Sequence, residues 1–318
     1  MTRTAKALAA ALAVTAGPVF AQTADEAAVR TVVESVAVLA DRGEFDALER
    51  LYAPEIRVDY TSLAGGEPEV KSPQALMTQW ASVLPGFDRT RHEISNVEVR
   101  LNGSAAAATA DVVADHWIGT LHWRVTGTYD YGLVLDGRDW KIASHTLTVT
   151  GEEGARDVFA PASAAARAKP NAYVIRQRAR QVVLDFLTGL EEKDMERVNG
   201  VWADDAVQEM PYVPAGFPSR VVGKEALIRH YAGWPQSAGK ANFTNGIRIY
   251  PTQDPEIVAV EYHGVSEIVT TGRIYDQRYF GLFHVQDGKI TLFREYFDPN
   301  VFARAFGLDE GGAFYESR

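Results

Sequence analysis

Phe45-Asp46-Ala47-Leu48-Glu49-Arg50-Leu51-Tyr52-Ala53 returns about 150 residues later as Met195-Glu196-Arg197-Val198-Asn199-Gly200-Val201-Trp202-Ala203. An apolar helical pattern precedes each stretch, through residues 29–34 and 178–187, and each copy closes on a matching strand start, Asp139-Trp140-Lys141-Ile142 and Asp287-Gly288-Lys289-Ile290. A fold-sized unit is therefore present twice. Two equivalent scaffolds allow pocket positions to be compared inside one chain, and positions where the copies differ in ionisable residues are where function is to be sought.

Working outward, copy one reads as an amphipathic helix over 25–40, with Val29, Val32, Val33, Val36 and Leu39 on one face. A short helix around 45–51 follows the Asp41-Arg42-Gly43 break, then a strand over 56–60 and a helix over 72–83 with Ser72 as cap and Pro73 at its first position. Long strands are predicted over 92–101, 105–118, 122–135 and 140–149. Copy two repeats the order: helices over 174–190 and 194–202, a strand over 206–212, a helix over 224–234, and strands over 243–250, 257–268, 273–285 and 289–297. Helices first and long antiparallel strands afterwards define an α+β class, with two tandem cone-shaped domains, each a curved antiparallel sheet wrapped around its N-terminal helices. The domains span 22–150 and 171–300. The Ala-rich stretch 151–170, with Pro161 and Pro170, reads as a linker that is partly helical at most, and 301–318 as a short C-terminal tail frayed by Gly311-Gly312.

The 318 residues suffice for two domains with their own cores, and 46% hydrophobic with 23% charged residues is a globular composition. A net charge of −10 without any basic run excludes nucleic acid as a partner. Residues 1–21 carry Arg3 and Lys6, then an apolar run from Ala7 to Ala16, then Val19-Phe20-Ala21 before Gln22. This is the layout of a secretory signal peptide, so a periplasmic or secreted protein is expected, with no membrane attachment after cleavage. The absence of cysteine excludes thiol nucleophiles and thiolate metal sites.

Both copies resemble the SnoaL-like, or nuclear transport factor 2-like, superfamily of α+β cones, also described as a cystatin-like roll. Copy one is more specifically similar to scytalone dehydratase and its relatives, through Leu51-Tyr52-Ala53-Pro54-Glu55-Ile56-Arg57-Val58-Asp59-Tyr60, His92 in Thr90-Arg91-His92 and His116 in Asp115-His116-Trp117. That resemblance implies His92 and His116 as the acid–base pair, Asp41 as the carboxylate that orients one of them and Tyr60 as a holder of the pocket water. The family's second pocket tyrosine is Ala40 here, and its polar pair on the third strand falls on Thr126 and Thr128. Copy two resembles phenazine-biosynthesis A/B-type proteins through Gly223-Lys224-Glu225-Ala226-Leu227-Ile228-Arg229-His230, Gln253-Asp254-Pro255 and Phe293-Arg294-Glu295-Tyr296-Phe297-Asp298-Pro299. This implies His230 and Glu295 as its acid–base groups. The Arg-x-Asp of superfamily epoxide hydrolases falls on Glu261 and His263, which disfavours epoxide opening.

Dehydration or isomerisation beside a carbonyl needs a base for a carbon-bound proton and an acid for the leaving oxygen, and histidine serves both near neutrality. Asp41 would fix a histidine tautomer and Tyr60 would donate to the carbonyl as charge develops there. A glutamate at 295 among Phe293, Phe297, Tyr262 and Trp234 would have a raised pKa; Trp234, Tyr262 and His263 are candidate substrate contacts in copy two, Thr126 and Thr128 in copy one. Each also has a structural reading, such as a strand histidine satisfied by its neighbours or Arg294-Glu295 as a cross-strand ion pair. Aligning Lys141-Ile142 with Lys289-Ile290 puts Leu147 opposite Glu295, His145 opposite Phe293 and, further upstream, His92 opposite Phe243. His122, His145, His263 and His284 show no metal-ligand spacing, and neither a phosphate loop nor a Gly-x-Ser-x-Gly elbow occurs. The expectation is an exported lyase or isomerase without metal or cofactor, acting on a small hydrophobic carbonyl compound, the copies forming an intrachain pseudo-dimer with further homo-oligomerisation possible. The alternative is a non-catalytic periplasmic binding protein for small hydrophobic ligands.

Overall fold

A computed structural model of the chain describes residues 23–214 and 216–308; the leader expected over 1–21 and the end of the tail, 309–318, lie outside them. Thr23 and Glu26 form a reciprocal capping box that starts α1 (Ala24–Arg42), and Gly43, at φ 66°, ends it in the left-handed conformation. Its face of Val29, Val33, Val36, Ala37 and Ala40 is buried. There follow α2 (Phe45–Glu49), β1 (Tyr52–Asp59), α3 (Thr61–Ala64), β2 (Glu69–Lys71), α4 (Pro73–Ala81), β3 (Arg89–Asn102), β4 (Ala105–Ile118), β5 (Leu121–Asp136), β6 (Asp139–Gly154) and α5 (Phe159–Ala168). The second half repeats the order in α6 (Ala172–Glu192), α7 (Met195–Gly200), β7 (Trp202–Glu209), β8 (Arg220–Val222), α8 (Lys224–Tyr231), α9 (Trp234–Ser237), β9 (Ala238–Asn242), β10 (Arg248–Pro251), β11 (Ile257–Ile268), β12 (Arg273–Gln286), β13 (Lys289–Phe297) and α10 (Pro299–Phe306).

The α+β architecture comprises two separate sheets, ordered β2-β1-β6-β5-β4-β3 and β10-β11-β12-β13-β7-β8, with β9 also on β11. They are not wholly antiparallel: β1 runs parallel to β6 and β7 parallel to β13. A parallel partner needs a long crossover, and here the intervening helices and strands bring the chain back in the starting direction. The register makes the internal repeat explicit. Val58 pairs with His145 as Gln208 pairs with Phe293, and Tyr131 pairs with His145 as Phe283 pairs with Phe293.

Several boundaries depart from the sequence reading. β1 begins at Tyr52 rather than 56, with an irregularity between Tyr52 and Arg57 where Pro54 has no N–H to give the ladder. Tyr60 lies past the strand, at the start of α3. The single strand predicted over 243–250 is reduced to β10 from Arg248, and β9 ends before it at Asn242, because the Glu191 carboxylate takes the backbone N–H groups of Phe243 and Thr244 and holds a turn there. The expected linker is ordered: β6 runs on to Gly154 and α5 buries Ala162 and Ala166. The start of the expected tail is helical too, as α10 capped by Asp298.

The chain divides into two compact units. The first comprises the chain up to Pro73, Thr90–Asp115 and Trp123–Gly154; the second comprises Gln74–Arg89, His116–His122 and the chain from Ala155 onward. In the second, α6 packs its face of Val183, Phe186 and Leu187 on β9, β11, β12 and β13, and Phe186 meets Trp202 edge-to-face at 5.3 Å. Phe283 stacks on Phe293 at 4.1 Å beneath it.

Candidate functional site

The second repeat forms a half-open cavity of about 440 Å³ among α6, α8, β7, β11, β12, β13 and α10, walled by Trp234, Phe243, Tyr279 and Phe302. Strand alternation points Tyr262, Gln208 and Glu295 into it. Glu295 pairs across the sheet with Gly281, whose missing side chain leaves room for the rings of Phe283 and Phe293, 2.8 and 3.1 Å from where a Cβ would stand. The Tyr262 hydroxyl donates to Oε1 of Glu295 at 2.5 Å and the Gln208 amide to Oε2 at 3.3 Å. Tyr231 in turn donates to the Gln208 carbonyl at 2.7 Å, which fixes the amide orientation. Burial pushes the Glu295 carboxyl up to about 7, although both hydrogen bonds favour the anion. A carboxyl with that pKa exchanges protons near neutral pH.

His230, from the last turn of α8, also lines the cavity, its ring 5.7 Å from Phe217 and 5.0 Å from Tyr231, and burial lowers its pKa. Trp234 is held by a hydrogen bond from its indole N–H to Leu190 O at 2.8 Å, and Tyr262 stacks on Tyr279 at 4.5 Å. His263 is a different case. One residue beyond Tyr262 it emerges on the opposite face of β11, where it meets Asp276 at 2.6 Å outside the cavity lining. Its assignment as a substrate contact of this cavity is corrected by the two-residue period of the strand.

In the first repeat, Asp41 lies in the last turn of α1 and receives Thr90 Oγ1 at 2.8 Å, the His92 backbone N–H at 2.8 Å and His92 Nδ1 at 2.6 Å. Burial raises the Asp41 carboxyl, but the hydrogen bonds and charge of His92, with Thr90, outweigh it and hold the pKa below the ordinary carboxylate value. The carboxylate keeps the proton on Nδ1 and leaves Nε2 as the basic atom. His116 is buried against the rings of Phe87 at 4.9 Å and Phe159 at 6.2 Å. The Tyr60 hydroxyl reaches His145 Nδ1 at 3.3 Å, beside that of Tyr52 at 3.2 Å. Thr126 donates to Gly151 O, and Thr128, one residue before Tyr129, faces the other side of β5 from the tyrosine that packs on His145. The expected polar pair is thus replaced on the His145 side by Tyr129 and Tyr131.

Sequence reasoning passed over His145, Tyr129, Tyr131 and Gln208. Two signals were available: Tyr129-x-Tyr131 puts two phenols on one strand face, and Gln208 interrupts the buried alternation Ala206-x-Gln208-x-Met210 with a polar side chain. Among the described residues no cluster of three or more His, Cys, Asp or Glu could hold a metal ion.

Residues 21–146 match one SnoaL-like domain family and residues 183–293 match another. The Bacillus subtilis protein YesE is 31% identical over 131 residues, 41% of this chain and 88% of its own. A Pseudomonas aeruginosa PhzA/B-like protein, PA3332, is 28% identical over 135 residues, covering 42% and 94%. A solved structure from Novosphingobium aromaticivorans, named as a candidate scytalone dehydratase, is 18% identical with a TM-score of 0.38, covering 42% of this chain and 88% of that one, which is a likeness of fold alone. With the repeated architecture, the two domain matches and this degree of identity, the chain belongs to the SnoaL-like family and carries two of its domains in tandem.

Proposed function

We propose that the protein is a cofactor-independent lyase or isomerase that moves a proton on a small, apolar, carbonyl-bearing compound, with Glu295 as the proton carrier. The observation that carries this reading is the Glu295 carboxyl at about 7, held by Tyr262 and Gln208 inside an aromatic cavity. As carboxylate it takes a proton from the carbon beside the carbonyl, leaving an enolate; returning that proton to another carbon isomerises the compound, and delivering it to a β-hydroxyl releases water. Aromatic walls exclude water and favour a planar apolar substrate. The Asp41–His92 pair gives the first repeat an acid–base group of its own. Export through the leader at 1–21 belongs to the same proposal and is tested by N-terminal sequencing of the mature protein, expected to begin at Gln22.

The test is exchange of the α-protons of a small cyclic aryl ketone, 1-tetralone, in deuterated buffer. The rate should rise with pH through about 7 as Glu295 ionises, and Glu295→Gln should lower it by about 100-fold or more. A Glu295→Gln variant that exchanges like the wild type would overturn the assignment. Both Glu295 oxygens already accept hydrogen bonds, which also suits a non-catalytic carrier. That reading predicts saturable ketone binding without exchange.

A further inference from the structure

Two polar side chains reach Glu295 in series. Gln208, only 1% exposed, points from β7 to the carboxyl and puts its amide N–H on Oε2 at 3.3 Å. The Tyr231 hydroxyl, at the end of α8, donates to the Gln208 carbonyl oxygen at 2.7 Å. The Tyr231 ring is itself held, stacked over Trp202 at 6.1 Å and edge-on to Phe186 at 5.6 Å. A buried amide is costly unless both its ends find partners, and here each end has one.

An amide can show a neighbour either of two ends, and only one of them suits a carboxylate. With its N–H towards Oε2, Gln208 stabilises the anion; turned over, it would set its carbonyl oxygen against Oε2 and repel it. Tyr231 opposes that turn, because the Gln208 carbonyl is the one acceptor its hydroxyl has among the described residues.

The internal repeat supports treating the three as a unit. Val58 pairs with His145 as Gln208 pairs with Phe293, so Val58 holds the place of Gln208 and Leu147 that of Glu295. Aligning the buried Leu76 of α4 with the buried Leu227 of α8 puts Trp80 opposite Tyr231. The first repeat therefore has none of the three and the second has all of them, although they come from three separate elements. A polar pair that served the fold alone would have no reason to come and go with the carboxyl.

We infer that Tyr231 is a positioning residue: acting through the Gln208 amide, it keeps a hydrogen-bond donor on Oε2 of Glu295 and so holds that carboxyl in the form that accepts a proton. In its use for the reaction this rests on Glu295 as the proton carrier proposed above. Tyr231 exchanges no proton itself, since burial and then the Glu295 charge raise its phenol well above the ordinary value. The other titratable groups lining the cavity are Tyr262 of β11, Tyr275 and Tyr279 of β12 and His230 of α8. Burial raises those three phenols and lowers His230, which leaves Glu295 as the group poised at about 7.

The test reads Glu295 directly, by carbon NMR of the full chain isotopically labelled at the glutamate side-chain carboxyls. Glu295→Gln identifies its resonance, and the shift followed against pH gives the midpoint of its titration. Tyr231→Phe keeps the ring against Trp202 and Phe186 and removes only the hydroxyl; the midpoint should rise by roughly half a pH unit, part of one hydrogen bond to a charged group. Gln208→Leu, which removes the donor outright, should raise it by roughly one unit. Adding Tyr231→Phe to Gln208→Leu should move it no further, because the phenol then has no amide to hold. The pH profile of 1-tetralone exchange should move with the resonance. If the resonance moves as expected and the wild type exchanges no tetralone protons, the proposed reaction fails and the positioning role stands. A midpoint that stays in place in Tyr231→Phe while the melting temperature falls, or a Tyr231→Phe shift that persists in full in the Gln208→Leu background, would overturn the inference.

Discussion

Burial of His145 among four phenols removes its imidazole from water and pushes the pKa down to about 3. The folded pKa lies below the unfolded value of 6.5, so this group's contribution is complete above 6.5 and is lost as pH falls from there towards 3. The full penalty is roughly 5 kcal/mol. Denaturant titrations at pH 7 and pH 4 should therefore show a loss of stability that His145→Phe largely removes, and an equal slope in both proteins would refute the burial argument. Glu295 has the opposite sign. Its folded pKa lies above the carboxylate value of 4.5, so stability is complete below 4.5 and declines as pH rises through about 7. Glu295→Gln should thus gain on the wild type by roughly 2 kcal/mol between pH 5 and pH 9, measured by the same titrations. Glu295 was legible through the resemblance of Phe293–Pro299 to phenazine-biosynthesis A/B-type proteins, and its aromatic neighbours on β13 added the expectation of a raised pKa. His145 was less so, because its partners come from β1, β5 and the turn after β1, and no spacing along β6 reveals them. Gly281 was equally silent. Its value lies in facing Glu295 where the first repeat has Tyr129 facing Leu147, a comparison that only sheet register supplies. Adding a methyl group in Gly281→Ala would press on the Phe283 and Phe293 rings at 2.8 and 3.1 Å, and thermal melts should show a cost of about 1–2 kcal/mol.

Elements with a strong amphipathic period were legible almost to the residue, as α1 and α6 show, while those set by side-chain caps and tertiary contact were not. Residues 243–250 read as one strand because they suit extended backbone throughout; only β10 forms there, because Glu191, a residue of α6, holds Phe243 and Thr244 in a turn that no local signal encodes. α10 read as a tail because eight residues are too few to show a helical period. The helix is nevertheless tied at both ends. Thr271 donates to Ala305 O at 2.6 Å and Gln277 to Asp298 O at 2.8 Å. Between those ties Phe302 packs on Phe217 at 4.9 Å, Phe297 at 5.8 Å and Phe306 at 4.4 Å, and closes one side of the cavity. Phe302→Ala is expected to cost about 2 kcal/mol in thermal stability. It should also weaken 1-tetralone binding, and an unchanged affinity would show that α10 does not wall the bound compound.

Repeats in sequence and compact units in space need not share boundaries, and here they do not. Gln74–Arg89 and His116–His122 precede the second repeat by many residues, yet they belong to the compact unit that contains it. Within that unit the Asn171 amide donates to Ala81 O at 2.9 Å, Tyr173 to Gln74 O at 3.4 Å, and the Phe87 and Phe159 rings meet at 5.9 Å. Closest of all is Gly86, where a Cβ would stand 1.8 Å from the Ala162 carbonyl oxygen of α5. Only glycine permits that approach, since backbone, unlike a side-chain tip, cannot turn aside. A fragment that starts at Ala155 keeps all the residues around Glu295 but leaves Val158, Ala162, Ala166 and Tyr173 without the cover of residues 74–89. Losing those contacts should remove about 3 kcal/mol, which for a fragment of this size lowers the melting temperature by roughly 10 °C. Gly86→Ala in the full chain strikes the same contact without deleting anything, so calorimetry should show its unfolding transition moving in the same direction. A fragment that melts with the full chain, or a Gly86→Ala variant that leaves the transition in place, would mean that the second repeat is cooperative on its own and that segments 74–89 and 116–122 are ornament to it.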